Sequence, residues 1–457
     1  MKIIILGAGQ VGSTVAESLV SEANDITVVD TDGPRLRALQ DRLDLRTLVG
    51  SAAHPQTLQE AGADDADLLI AVTQSDEVNL VACKLAAQMF NLPTRIARIR
   101  STAYLNNSAV FSPECFAVDH AICPEQILTN YIVKLVEFPE ALQVLEFAGG
   151  RVSLIAVRAF KGGPLVGHEL KDIRKHIPNV DARIAAIFRG DSPIVPKGDT
   201  VVQAGDEVFC LAATKDIRKV MQELRRMDRP VKRVMIAGGG NIGERLARAL
   251  DTNYLVKIID RNKGRCEMLS GVLDSALVLN GDVTDETLLE SENVDEMDLF
   301  VAVTNDDENN IMAALLAKRM GARRVVALIN RRVYVDLLQD GRIDIAISPA
   351  LATIGSLLAH VRRGDVAQVH SLRRGAAEAI EAVVHGDASS CRMVGRSIEA
   401  IELPKGATIA ALVRGEEVIM AHHDTVVQAG DHAIVFVTEK KMVPKVEKLF
   451  QVSAGFL

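Results

Sequence analysis

The chain has no tryptophan, and aromatic residues make up only 4% of its 457 residues. Single-stranded nucleic acids are held largely by stacking bases on aromatic faces, so such a role is poorly served here. Basic charge is short as well. The formal net charge is −8 and the pI about 5.8, which removes the overall positive footprint that nucleic acid or an anionic lipid surface requires. No nucleic-acid partner is expected. Apolar runs such as Val152–Val157 and Leu299–Val303 stop at strand length, short of the ~20 residues of a membrane helix. The six cysteines (Cys83, Cys115, Cys123, Cys210, Cys266 and Cys391) are scattered, with no C-x-x-C spacing. Reduced thiols, no metal site and a cytoplasmic protein follow as expectations. Met1-Lys-Ile-Ile-Ile-Leu-Gly7 leads straight into a strand and a glycine turn, and no signal peptide can be read there. Glu244 follows Gly243 where a phosphate-binding P-loop would need Lys-Ser/Thr. Nothing resembles H-E-x-x-H or a Ser-His-Asp set, so no catalytic residue is assigned and an enzyme is not expected.

What the chain does have is an internal repeat. Lys2-Ile-Ile-Ile-Leu-Gly-Ala-Gly-Gln-Val-Gly12 returns as Arg233-Val-Met-Ile-Ala-Gly-Gly-Gly-Asn-Ile-Gly243. Val28-Val-Asp30 returns as Ile258-Ile-Asp260, and Leu69-Ile-Ala-Val-Thr73 as Phe300-Val-Ala-Val-Thr304. The octamer Asp199-Thr-Val-Val-Gln-Ala-Gly-Asp206 recurs unchanged as Asp424–Asp431. An ordered series of this kind means duplication, in the order A-B-A′-B′.

The A units read as α/β. Runs of Ile, Leu and Val with little alternation fall at 2–6, 26–30, 45–49, 67–73, 94–99 and 118–122, and again near 233–237, 255–260, 276–280, 298–304, 324–329 and 343–347. Strands of that kind are buried on both faces, which predicts two Rossmann-like parallel sheets covered by helices. The first B unit reads as a small α+β module, with strands at Ser153–Ala159, Ile184–Arg189 and Glu207–Ala212, a short helix near Glu169–His176, and a last helix near Lys215–Met227. Breaks near Phe138-Pro-Glu140, Met227–Lys232 and Arg362–Arg374 divide the chain into domains at 1–138, 141–227, 231–362 and 368–453.

Chemistry concentrates at the two glycine loops. In Gly7-Ala8-Gly9-Gln10-Val11-Gly12 and Gly238-Gly239-Gly240-Asn241-Ile242-Gly243, the first glycine permits the tight turn. The second lets a pyrophosphate approach the backbone, and the third lets helix pack on sheet. The helix that follows offers free N–H groups to phosphate. Asp30 and Asp260 close the next strands, where a carboxylate accepts the adenosine ribose hydroxyls and repels a 2′-phosphate, favouring NAD(H) or an adenosine nucleotide over NADP. Thr73-Gln74 and Thr304-Asn305 follow the fourth strands and face the same crevice. Asp76 and Asp307 read as helix N-caps rather than paired catalytic acids. Arg98 suits a phosphate clamp, and its counterpart in the second copy is Leu328 or Ile329. The two crevices are therefore not equivalent.

Taken in order, a glycine-loop unit ending in a strand like Asp119–Pro124, followed by a small module carrying Val202-Gln-Ala-Gly-Asp206, resembles the RCK (KTN) regulatory domains of potassium channels and transporters. The tandem form, with Gly62–Asp67, Asn91–Ser101, Leu316–Gly321 and Ser371–Ala382, is similar to the cytoplasmic subunits of bacterial potassium-uptake systems, and the likeness covers essentially the whole chain. The resemblance implies a homotetramer ring, eight modules in all, beneath an integral membrane potassium-transporter subunit, gated by NAD(H), ATP or ADP in the Rossmann crevices. It also implies that Gly7–Val11, Asp30, Thr73, Gln74 and Arg98 form one site, and Gly238–Ile242, Asp260, Thr304 and Asn305 the other. An NAD-dependent oxidoreductase with a duplicated cofactor domain is the alternative, but no positioned acid or base follows either loop.

Overall fold

The computed structural model describes residues 1–20, 24–190, 192–194, 196–225, 229–331, 333–334, 342–361, 366–372 and 377–452. Parts of two expected domain breaks, at 226–228 and in 362–374, lie outside the described residues. The chain divides into two units, Met1–Leu128 with Ser348–Val361, and Thr129–Ile347 with Arg362–Leu457.

The first unit holds one parallel sheet of β1 (Lys2–Leu6), β2 (Asp25–Asp30), β3 (Arg46–Val49), β4 (Leu68–Ala71), β5 (Thr94–Arg98) and β6 (His120–Ile122). The strand order is β3-β2-β1-β4-β5-β6. Ile3–Leu6 and Leu68–Ala71 are buried residue after residue, as strands covered on both faces must be. The order reverses between β1 and β4, and the crevice at that switch point is where ligands of open parallel sheets sit. The unit is completed by a helix from the second half of the chain. Pro349–Val361 packs on the opening helix Gln10–Val20 and on β6, burying Ile354, Leu357, Leu358 and Val361.

The second unit contains three sheets. Its parallel sheet comprises β12 (Arg233–Ala237), β13 (Leu255–Asp260), β14 (Leu277–Asn280), β15 (Leu299–Ala302), β16 (Val325–Leu328) and β17 (Ile345–Ile347), in the order β14-β13-β12-β15-β16-β17. It repeats the first sheet strand for strand. The other two sheets are antiparallel. One is built from β7 (Ala141–Phe147), β8 (Val152–Arg158), β9 (Ala182–Arg189), β10 (Ser192–Ile194) and β11 (Glu207–Ala213). The other is built from β18 (Val366–Leu372), β19 (Ala377–Val383), β20 (Ala407–Arg414), β21 (Glu417–Met420) and β22 (His432–Val437). β7 and β10 add to the strands foreseen, and the last helix of the first small module is shorter than expected, at Ile217–Leu224.

The repeated octamer now has a physical reason. Buried Asp206 accepts two hydrogen bonds from Arg189, both at 2.9 Å, and one from the Gln203 N–H at 2.8 Å. Asp431 does the same with Arg414 and Gln428. The turn is locked to the neighbouring strand by a two-pronged charged bond. The two small modules also share one hydrophobic core, in which Phe147, Leu154 and Phe209 meet Leu372, Ile434 and Phe436. The Phe209 and Phe436 ring centroids lie 5.9 Å apart. The Ala148 N–H donates to the buried Glu381 carboxylate at 2.8 Å, whose other oxygen lies 2.6 Å from His432 Nδ1.

Candidate nucleotide site

β1 ends at Leu6, and Gly7 turns the chain with φ +110°, a region that disfavours any side chain. A Cβ on Gly7 would also press on the Val72 carbonyl and Thr73 backbone at 3.0–3.1 Å. On Gly12 it would lie 1.8 Å from the Gly7 oxygen, so the opening helix reaches the loop only because that atom is missing. Gly9 is different. A Cβ there meets nothing within 4 Å. Packing therefore explains two of the three glycines, and the third guards open space at the N-terminus of an 11-residue helix. That space has the backbone N–H groups and dipole end that suit a phosphate.

Asp30 closes β2 and turns back on the loop. Its Oδ2 accepts the Ala8 N–H at 2.6 Å and its Oδ1 the Asp32 N–H at 2.9 Å. The carboxylate is thus fixed by backbone donors beside the loop. Thr73, past the end of β4, is positioned by Asn79, whose Oδ1 accepts both the Thr73 N–H at 3.0 Å and its hydroxyl at 2.7 Å. Asn79 Nδ2 in turn donates to the Arg98 carbonyl at 2.8 Å. A fully buried amide therefore ties the ends of β4 and β5 together. Sequence reading missed Asn79. Its signal is the six-residue spacing from Thr73, which recurs between Thr304 and Asn310.

The N-cap reading of Asp76 and Asp307 is corrected. Ser75 and Asp306 cap those helices, through the N–H groups of Val78 and Asn309. Asp76 instead accepts the N–H groups of Arg100 and Ser101 at 2.8–3.0 Å, and Asp307 those of Asn330 and Arg331 at 2.8–2.9 Å. These carboxylates hold the loops after β5 and β16. Arg98 stands at the end of β5 with its Nη2 3.2 Å from Glu125. Burial pulls its guanidinium below the ordinary arginine range, against the pull of Glu125. Its buried Nε meets no acceptor.

The second crevice repeats the frame. Gly238 has φ +110°, a Cβ on Gly243 would lie 1.9 Å from the Gly238 oxygen, and Gly240 again faces open space. Asp260 accepts the Gly239 N–H at 2.7 Å and the Asn262 N–H at 2.8 Å. Asn310 joins Thr304 to the Leu328 carbonyl. Strand register settles the counterpart of Arg98 as Leu328. The surroundings differ in charge. Arg265 donates to the Gly239 carbonyl and to Glu244, which also pairs with Arg248.

Both halves match the TrkA-N domain, over residues 3–124 and 234–349, and the TrkA-C domain, over 154–225 and 387–451. The "Trk system potassium uptake protein TrkA" of Halomonas elongata is 59% identical over 456 residues, covering 100% of both chains. Those of Vibrio alginolyticus and Haemophilus influenzae are 56% and 49% identical, again over 100% of each chain. Among solved structures, the GsuK RCK domain superposes with a TM-score of 0.62 at 18% identity, covering 98% of this chain and 94% of that one. The GsuK channel bound to NAD gives 0.61 at 18%, covering 98% and 78%. Fold and repeated crevice thus define a tandem RCK-type chain, in which each Rossmann-like domain is followed by a small antiparallel one. Within that class the chain belongs to the TrkA family of Trk-system potassium uptake proteins. No helix among the described residues is long and apolar enough to cross a membrane.

Proposed function

We propose that this chain is the nucleotide-sensing regulatory subunit of a potassium transporter, without catalytic activity of its own. Four copies form a homotetramer ring on the inner face of the plasma membrane, docked to an integral membrane potassium-transporter subunit of the TrkH/TrkG kind. NAD(H) binds the Rossmann crevices, with ATP and ADP as competing ligands. Gly7, Ala8, Gly9, Gln10, Val11, Gly12, Asp30, Thr73, Gln74 and Arg98 line the first site. Gly238, Gly239, Gly240, Asn241, Ile242, Gly243, Asp260, Thr304 and Asn305 line the second. The four domains run over 1–138, 141–227, 231–362 and 368–453.

The observation that carries this reading is the open space at Gly9 and Gly240, where a Cβ meets nothing within 4 Å. Beside it, Asp30 and Asp260 are held by loop N–H groups where an adenosine ribose would come to rest. A bound nucleotide supplies gating energy only insofar as it prefers one ring shape over another. About 5.5 kcal/mol of such preference, spread over the ring, carries an equilibrium from 1:99 to 99:1. The test is potassium flux through the reconstituted transporter, with and without this protein, across ATP, ADP, NAD and NADH. Nucleotide-dependent flux that disappears with Asp30→Ala supports the reading. Flux indifferent to every nucleotide refutes it.

A further inference from the structure

The two glycine loops anchor the same carbonyl by different means. In the first crevice the Ser13 hydroxyl donates to the Ala8 carbonyl at 3.0 Å. Ser13 stands in the first turn of the opening helix, where its N–H donates to the Gly9 carbonyl. In the second crevice that position belongs to Glu244, whose N–H donates to the Gly240 carbonyl in the same way. A carboxylate has no proton to offer a carbonyl. The Gly239 carbonyl is taken instead by Arg265 Nε, from the helix Lys263–Ser270. Arg265 Nη2 donates to Glu244 Oε2 at 2.7 Å. Arg248 donates to the other Glu244 oxygen, from Nε at 3.1 Å and Nη2 at 3.0 Å.

An arginine at this position does not by itself reach the loop. Arg35 is its counterpart in the first copy, since each donates its N–H to the residue that caps its helix, Asp32 or Asn262. Asp32 is charged and keeps Arg35 Nε at 3.1 Å, with the arginine side chain 54% exposed. Asn262 is neutral, and Arg265 turns to the loop and to Glu244, where it is 23% exposed. Ser13 against Glu244 and Asp32 against Asn262 are thus two halves of one rearrangement. A peptide unit is planar and trans, so its N–H points away from its carbonyl. Fixing the Gly239 carbonyl therefore aims the Gly240 N–H, at the glycine where the backbone meets a pyrophosphate. The Gly239 N–H is already given to Asp260.

Resting on the nucleotide reading above, we propose that Arg265 is the positioning residue of the second nucleotide site. Held by Glu244, it orients the Gly240 N–H toward the pyrophosphate of the ligand, as Ser13 orients the Gly9 N–H in the first site. It acts through the loop and touches no part of the ligand. The second site's affinity then depends on an ion pair, where the first site's depends on a neutral hydroxyl.

The experiment uses the full-length protein carrying Gly9→Asp to silence the first crevice. Calorimetry with ATP, ADP and NADH compares it with the same protein bearing Arg265→Met. Affinity falls about tenfold, and by the same factor for all three ligands, since each brings a pyrophosphate to the same loop. Rescue separates positioning from charge. Adding Glu244→Ser to Arg265→Met supplies the hydroxyl that Ser13 carries, and affinity returns to within about threefold of the parent. Glu244→Ala in its place restores nothing, because Arg248 already neutralises that carboxylate. If Arg265→Met does not fold, Asn262→Asp keeps both the cap and the arginine but draws the guanidinium off the loop, as Asp32 does with Arg35. All three ligands then weaken together, by at least about threefold. Unchanged affinity in whichever variant folds, a loss confined to one ligand, or rescue by alanine equal to rescue by serine overturns the proposal while the nucleotide reading stands. Failure of all three to bind the parent protein overturns both.

Discussion

Placing a carboxylate at Gly9 separates binding from folding. The backbone there needs no positive φ, and an added Cβ meets nothing within 4 Å, so Gly9→Asp enters without a clash. Gly9 also precedes the opening helix, its carbonyl accepting the Ser13 N–H at 2.9 Å. Aspartate is a better N-cap than glycine by a few tenths of a kcal/mol. Stability therefore holds or rises slightly, and Tm stays within about 2 °C of the parent. Binding does the opposite. A carboxylate about 5 Å from a phosphate charge, at an effective dielectric near 20, costs about 3 kcal/mol per unit charge. It also occupies the helix end that the phosphate requires. The dissociation constant of the first site should rise at least about 100-fold. Calorimetry with NADH or ATP, in a Gly240→Asp background, measures the first site alone. A Gly9→Asp protein that binds as tightly as its parent refutes the site. One that melts far below its parent refutes the argument that the space is open.

Three further outcomes follow from the geometry. Gly12→Ala and Gly243→Ala drive a Cβ to within 1.8 and 1.9 Å of a carbonyl oxygen, and each should cost about 3 kcal/mol or more in urea unfolding; a parent-like midpoint would contradict the packing described. Asp206→Asn and Asp431→Asn break a two-pronged bond to an arginine, at about 2–3 kcal/mol each. That is below the figure for a fully buried pair because Arg189 and Arg414 are 40% and 31% exposed, and equal unfolding midpoints for parent and variant would count against the lock. Burial holds His370 at about 4, against 6.5 for an ordinary histidine. The native state resists protonation that the unfolded chain accepts, so this stability is complete above pH 6.5 and lost as pH falls toward 4. The loss should reach about 1–3 kcal/mol by pH 4, and His370→Gln should flatten that part of the profile.

The duplicated architecture was legible because parallel strands buried on both faces write themselves as unbroken runs of Ile, Leu and Val, and because the glycine loops and the Asp199–Asp206 octamer recur in order. The glycine loop of the candidate site was legible where backbone geometry dictates residue type, as at Gly7 and Gly12. It was illegible where the work is done by a buried neutral amide. Asn79 and Asn310 carry no charge and fit no catalytic pattern, yet they fix the crevice wall. Ser75-Asp76 and Asp306-Asp307 each pair two residues able to cap a helix, and only coordinates decide which one does. β7 escaped notice because a register shift between Ala141 and Gln143 breaks its alternation just after Pro139. The docking of Pro349–Val361 on the first sheet's unit is a long-range event with no local signature.

The single core shared by the two small modules has a further effect. Two separate chains pairing through such a face would part on dilution, whereas joining them in one polypeptide makes the encounter unimolecular, at an effective concentration on the order of millimolar. Each half then always meets the other and never a copy of itself across that seam. Mutations on one side need not be self-complementary, and that freedom lets one copy keep Arg98 at the end of β5 while its twin carries Leu328 at the end of β16.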